Sequence, residues 1–423
     1  MPRILLATIG SLGDLHPFIA IGLALRAQGA DAVLAVPEDH VARVRAAGLE
    51  AHPIMPTFQK LGRAIGLADE EIVRRVIADA DFMLRRIILP STADSVERLL
   101  RIAQGADAVV GSAVAPAAAI AAERLRLPFV RAVLQPMVWW NPDDPPRAPE
   151  LRMLAARPTG SAARGWNRMV LGAVRWELRR RYAPALDRVR TANGLQPARR
   201  APLVDPGPWV AREIGTYSPL LGGAPAHGLL TGFPWWDRDE DASAALDPEL
   251  ERFLADGPPP LVVSLGSFIP YSDTDLYARA ADAARTLASR AVLLVGEAEV
   301  AARPDVLVRR YAPHSLLFPR AAAVVHHGGI GTTGQALRSG RPQLVTPFMG
   351  DQFDNAARVT RLGAGLGVAP RRFARDAPGL LRRLLDEPAF AETARATGAR
   401  VARKDGAGVA ADAVLAVVSG SGR

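Results

Sequence analysis

Short apolar runs alternate with helical patterns along this chain, and no other feature limits its fold as strongly. RILLAT at 3–8 leads through Gly10 and Gly13 into a helical pattern from Pro17 to Gly29, and AVLAVP at 32–37 leads into another that ends near Gly48. ADAVVGS at 106–112 and LPFVRAVL at 127–134 enclose an Ala-rich stretch at 115–124. The series restarts with LVVSLGS from Leu261, AVLLVGE at 291–297, VLVRRYAP at 306–313, AAAVVHHGG at 321–329 and PQLVTP at 342–347. Runs without a polar face predict strands buried on both sides, and strands alternating with helices predict parallel sheets covered by helices. The expected architecture is α/β: two Rossmann-like, doubly wound domains facing each other across a ligand cleft.

The expected boundaries are 1–210 for the first domain, 211–245 for a linker rich in Pro, Gly and Trp that includes TGFPWWD at 231–237, and 246–404 for the second domain. Residues 405–423 should form a C-terminal helix that packs back on the first domain. Between Trp139 and Asn193, prolines at 142, 145, 146 and 149 precede an Arg-rich amphipathic segment bearing Trp166, Met169, Val170, Ala173 and Trp176. Its apolar face suits packing on its own domain, lining an acceptor cleft, or peripheral contact with a membrane.

Composition narrows the function classes. The 423 residues are 49% hydrophobic and 22% charged, as in folded globular chains. The net charge of +9 is almost wholly arginine, with lysine only at Lys60 and Lys404. No zinc spacing, aromatic RNA-binding signature or basic tail accompanies it, so nucleic acid is not an expected partner. Cysteine is absent, which removes disulfides and thiolate metal sites. The first apolar run stops at Gly10 and Asp14, too soon for a signal peptide, and no stretch of about eighteen apolar residues predicts a spanning helix. A cytoplasmic location is expected.

The strongest chemical signal is VHHGGIGTTGQ, from Val325 to Gln335, which follows a predicted strand and should open a helix at Thr332 or Thr333. Glycines there let backbone approach a ligand, and the free N–H groups of a helix start face an anion. The turn has neither the Walker lysine nor GxGxxG spacing, which disfavours kinase and dehydrogenase chemistry. Beyond the next strand stand Asp351 and Gln352, with Asn355 one turn later. A carboxylate beside an amide accepts from and donates to sugar hydroxyls, although Asp351 would also serve as a helix cap.

HHGGIGTT through MGDQFDNAARVTRLG, preceded by YAPHSLLFP, resembles the donor-binding block of the family 1 inverting glycosyltransferases, which have the GT-B fold. TIGSLGDLHPFIAIGLALRAQG, LVVSLGS and TGFPWWD resemble the same family, and IGSxGD, TGFP, YAP, HxGGIG and DQFDNA are most similar to its rhamnosyltransferases of rhamnolipid synthesis. The resemblance implies that His327, Gly329, Gly331 and Thr332 contact the donor diphosphate. It implies that Tyr311 stacks on the base, that Ala312 pairs with it through backbone, and that Gly266 and Ser267 close the phosphate side. Asp351 and Gln352 would hold the sugar. Gln335 stands where many relatives have a ribose-binding Glu, so a deoxythymidine donor becomes plausible beside a uridine one. A nucleoside diphosphate sugar would be the co-substrate, with no cofactor and no metal.

An inverting displacement needs a base for the acceptor's proton. GDLHP, from Gly13 to Pro17, places Asp14 where many relatives carry the basic His, and His16 is the alternative. The Asp on which that His usually leans is here Ser112. Helix capping before Pro17 is the competing role for Asp14. His40, His52, His227 and His314 show no ligand spacing and read as surface or packing residues. Phe82, Met137, Trp139 and Trp140 suggest an apolar acceptor pocket for a lipid, polyketide or phenolic. A nucleotide-sugar epimerase and a non-catalytic scaffold are the other classes the motifs leave open.

Overall fold

A computed structural model describes residues 1–79, 81–236, 245–266, 275–301 and 303–420. Two compact units divide the chain: one gathers Met1–Leu67, Asp81–Trp236 and the chain from Asp405 onward, and the other gathers the segment between Leu67 and Asp81 and the chain beyond Trp236 as far as Lys404.

The first unit is built on a seven-stranded sheet of β1 (Arg3–Ala7), β2 (Asp31–Pro37), β3 (Glu50–Met55), β4 (Ala108–Ser112), β5 (Phe129–Val133), β6 (Val210–Gly215) and β7 (Gly228–Leu230). All pairings are parallel and the order is β3-β2-β1-β4-β5-β6-β7. The order reverses between β1 and β4, where open α/β sheets take ligands at the carboxyl ends of the strands. Every residue of β4 and β5 is buried. β6 and β7 correct the linker expected at 211–245: VAREIG exposes polar residues and GLL is three residues long, so neither has the apolar run by which the inner strands announce themselves. Trp139 packs on two glycines of this stretch. A Cβ on Gly215 would strike the Trp139 ring and one on Gly228 would lie 3.1 Å from it.

The first helix opens at Leu12 and runs to Ala27, five residues earlier than expected, which puts Asp14 in its first turn. The helix Leu89–Ile102 is preceded by a π turn at Leu84–Ile88, where the Leu89 N–H donates to the Leu84 carbonyl. Pro90 has no N–H to give, so widening the turn is the local remedy. The C-terminal helix Gly406–Gly420 lies on the first unit, with Gln28 Nε2 donating to Asp412 Oδ1 at 2.9 Å.

The second unit has a six-stranded parallel sheet of β8 (Leu261–Ser264), β9 (Ala291–Leu294), β10 (Val306–Arg309), β11 (Ala323–His326), β12 (Gln343–Val345) and β13 (Gly365–Gly367), in the order β10-β9-β8-β11-β12-β13. It repeats the inner order of the first sheet, with its own reversal between β8 and β11. Leu261, Val263, Tyr277, Val325, Leu344 and Phe373 belong to the core on one face. Helix Asp69–Ala78, expected in the first domain, belongs to this unit and packs Ile77 on that core.

Candidate functional site

The carboxyl ends of β8 and β11 meet at the second reversal, with Ser264 in register with His326. His326 is buried and fixes the turn: its Nδ1 accepts from the Gly328 N–H at 3.1 Å, so Nε2 bears the proton and donates to Gln343 Oε1 at 3.0 Å. Burial holds its pKa near 3, so this ring stays neutral and structural. The next residue, His327, is half-buried and has its ring against two glycines. A Cβ on Gly266 would lie 2.6 Å from its Cε1, and one on Gly329 would strike Nε2. Gly266 also has a φ of +75°, which only glycine takes without strain.

Helix Ile330–Arg338 starts here with Gly329 as its N-cap, so the expected opening at Thr332 or Thr333 is corrected to Ile330. The shift places Gly331 and Thr332 in the first turn, where their N–H groups have no partner within the helix and face outward. His327 Nδ1, Thr333 Oγ1, Gln335 Oε1 and Asn355 Oδ1 are buried polar atoms with no hydrogen-bond partner among the described residues. Burial lowers the His327 pKa to about 4, and the Ser264 backbone opposes the shift. A diphosphate would reverse it, since an adjacent anion favours the imidazolium.

Asp351 caps helix Gln352–Leu362 by position, yet it accepts no capping bond from the helix backbone; its Oδ2 receives the Asn355 Nδ2 proton at 2.7 Å. Asn355 also donates to the Gly328 carbonyl at 2.9 Å, tying the carboxylate to the glycine turn. Gln352 is buried and its Oε1 accepts from the backbone of Phe348 at 2.8 Å and Met349 at 3.2 Å. Its oxygen therefore holds the preceding loop. Tyr311 is half-buried and Ala312 buried at the end of β10. Ser267 lies outside the described residues.

His314 belongs with these groups, although its sequence spacing set it aside. Its ring stacks on Phe318 at 4.3 Å, lies 6.1 Å from Tyr311, and brings Nε2 within 3.3 Å of Ser264 Oγ. Only the strand register that carries Ser264 beside His326 reveals this.

At the first reversal, Asp14 Oδ2 accepts from the Ser11 N–H at 2.9 Å and from Ser11 Oγ at 3.1 Å. Capping is thus present, and it holds the carboxylate in place at the carboxyl end of β1. Burial, opposed by the Ser11 bonds, pushes the Asp14 pKa up to about 6. Gly10 has a φ of +117° and its Cβ would strike the Asp14 carboxylate. The turn is further held by His40, whose Nε2–H donates to the Gly10 carbonyl at 2.9 Å. The His16 ring packs edge-on against Trp236 at 4.9 Å. Ser112 is buried at the end of β4.

The four residues expected to line an acceptor pocket are not one group. Trp139 is corrected to a packing role: it is buried, T-shaped against Tyr217 at 5.9 Å, and its indole N–H donates to Glu213 at 3.3 Å. Glu213 in turn pairs with buried Arg131. Trp140 lies under the Arg175 guanidinium at 5.4 Å and on the cluster of Leu154, Val170 and Leu171. Phe82 is buried just before the π turn, and Met137 is half-buried after β5.

Residues 294–412 match the family described as Erythromycin biosynthesis protein CIII-like, C-terminal domain. The chain is 33% identical over 418 residues to the O-mycaminosyltylonolide 6-deoxyallosyltransferase of Streptomyces fradiae, covering 96% of this chain and 94% of that one. It is 33% identical over 433 residues to the vancomycin aglycone glucosyltransferase of Amycolatopsis orientalis, covering 99% and 98%. The crystal structure of the glycosyltransferase VinC in complex with DTDP superposes with a TM-score of 0.66 at 20% identity, covering 99% of each chain. With two sheets that each reverse beside a glycine turn, and with these relatives spanning almost its whole length, the chain belongs to the family 1 glycosyltransferases and is a nucleotide-sugar-dependent transferase of the GT-B fold.

Proposed function

We propose that this enzyme transfers a hexose or deoxyhexose with inversion, from a deoxythymidine or uridine diphosphate donor to a hydroxyl of a small apolar acceptor, with Asp14 as the base. The observation that carries the reading is the Asp14 carboxylate itself: it is held by Ser11 at the reversal of the first sheet and has a pKa of about 6, close to the value a general base needs near neutral pH. The acceptor oxygen attacks the anomeric carbon as its proton passes to Asp14. The bond from that carbon to the diphosphate oxygen breaks on the opposite face. The departing charge falls on His327 and on the N–H groups that open helix Ile330–Arg338, donors aimed in advance at a developing anion. That array supports turnover without a metal, and we expect EDTA to leave initial rates unchanged.

The donor base follows from Gln335. It is buried, and it puts an uncharged amide where many relatives have a Glu to grip the ribose hydroxyls, which suits a nucleoside lacking the 2′-hydroxyl. Rhamnose on deoxythymidine diphosphate fits the sequence resemblance, glucose on uridine diphosphate the wider family. Calorimetry with both nucleotides and their glucose and rhamnose conjugates tests the assignment. Deoxythymidine diphosphate is expected to bind more tightly than uridine diphosphate. Gln335→Glu should move that ratio about ten- to a hundredfold toward uridine, the size of one hydrogen bond to a charged group. A ratio that Gln335→Glu leaves alone would place the ribose elsewhere. The acceptor is read from chemistry alone: among the named relatives one glycosylates a tylonolide and another the vancomycin aglycone, so polyketide, phenolic and lipid hydroxyls form the first panel.

A further inference from the structure

Helix Gly160–Ala192 packs on the first unit through Asn167, Val170, Leu171 and Tyr182, and turns the opposite stripe outward. On that stripe Trp166 is 48% exposed, Met169 58% and Trp176 64%, with Ala173 between them. The spacing of three, four and three residues keeps the four side chains within one arc of the helix over about 15 Å of its length. Met153, 54% exposed, adjoins them, because Trp166 Nε1 donates to its carbonyl at 2.8 Å. Half of the large apolar side chains that the described residues expose are therefore gathered on one ridge. Isolated exposed apolar residues are ordinary; a ridge of two indoles and two thioethers is not.

Charge says what covers it. Arg152, Arg157 and Arg168, close in sequence to Met153 and Met169, are exposed and have no acidic partner among the described residues. The acidic groups close by are engaged, Asp143 with Arg164 and Glu177 with Arg180, each at 2.7 Å. Against the three arginines, Glu150 supplies one exposed carboxylate. A second copy of this chain would bring the same cations face to face, which disfavours self-association through this ridge. Indole and thioether groups flanked by arginine suit the boundary of a bilayer, where rings sit at headgroup level and guanidinium groups meet lipid phosphate.

We infer that the ridge Met153, Trp166, Met169 and Trp176, with Arg152, Arg157 and Arg168, docks the enzyme on an anionic lipid surface. The contact is peripheral: no helix among the described residues is long and apolar enough to cross a membrane. It would hold the first unit where lipophilic hydroxyl compounds concentrate, and it does not depend on which of them is the acceptor.

The test is flotation of the full-length protein with vesicles of phosphatidylcholine alone and of equal parts phosphatidylcholine and phosphatidylglycerol. Partition to the anionic vesicles is expected to be about ten- to a hundredfold stronger, and to weaken as salt is raised. Met169→Ser with Trp176→Ser, two side chains that bond to no other element among the described residues, should lower that partition about tenfold or more. Arg152→Glu with Arg157→Glu and Arg168→Glu should abolish the preference for anionic lipid. Unchanged melting and nucleotide binding would show that both variants are folded. Equal partition to the two vesicle types, partition to neither, or a dimer in sedimentation that the Met169→Ser and Trp176→Ser changes dissociate would each overturn the assignment.

Discussion

Replacing Asp14 by asparagine is expected to lower turnover by about two to four orders of magnitude, the usual loss of a general base, while calorimetric affinity for the donor nucleotide stays within about twofold. The amide keeps the size of the carboxyl group and still accepts from the Ser11 N–H, so the turn at Gly10 should survive. Only the capacity to take a proton is removed. With the wild-type pKa near 6, kcat/KM should fall tenfold for each pH unit below about 6, and this acid limb should vanish in Asp14→Asn. Stability should move the other way. The carboxyl pKa is higher in the folded chain than in the unfolded one, where it is near 3.8. The group's contribution to stability is therefore full below the unfolded value and is lost as pH rises through about 6. At neutral pH the ionised carboxylate opposes folding, and Asp14→Asn should melt a few degrees higher. A variant that turns over like wild type would remove Asp14 from the chemistry. His16 would be the next candidate in sequence, although its ring packs on Trp236.

That carboxylate could be found in the sequence because it sits in a local motif, one helical turn from its partner. Ser11, Asp14 and Gly10 lie within five residues, and so do His327, Gly329 and Gly331. The inner strands were legible for a similar reason: a strand buried on both faces writes an apolar run. β3 and β6 carry polar or exposed positions, and β7 and β13 are three residues each, so the period that reveals a strand never accumulates. His314 was hidden differently. It enters the site through Ser264, fifty residues away in sequence, by a register that only the sheet sets. Trp139 shows the opposite error, since an aromatic pair beside prolines resembles a pocket wall, whereas the bare faces of Gly215 and Gly228 are what receive its ring.

His327→Ala is expected to lower kcat/KM by about two to three orders of magnitude, comparable to removing one donor from a preorganised anion site. The imidazole lies against Gly266 and Gly329 beside the opening turn of helix Ile330–Arg338. Donor affinity should weaken as well, and its pH dependence is diagnostic. In the free enzyme burial keeps His327 neutral, with a pKa near 4, and the diphosphate raises it, so binding takes up a proton at any pH between the free and bound values. Wild-type affinity for the nucleoside diphosphate should therefore strengthen as pH falls toward about 4, and the alanine variant should lose that slope along with its affinity. Alanine also leaves a gap, which a structural role would register as lost stability with little change in the slope. His327→Gln separates the two: it refills the space and can donate, but it cannot take up a proton. If His327→Gln restored both affinity and slope, the proton would be entering elsewhere, and His314, 3.3 Å from Ser264, is the ring placed to receive it.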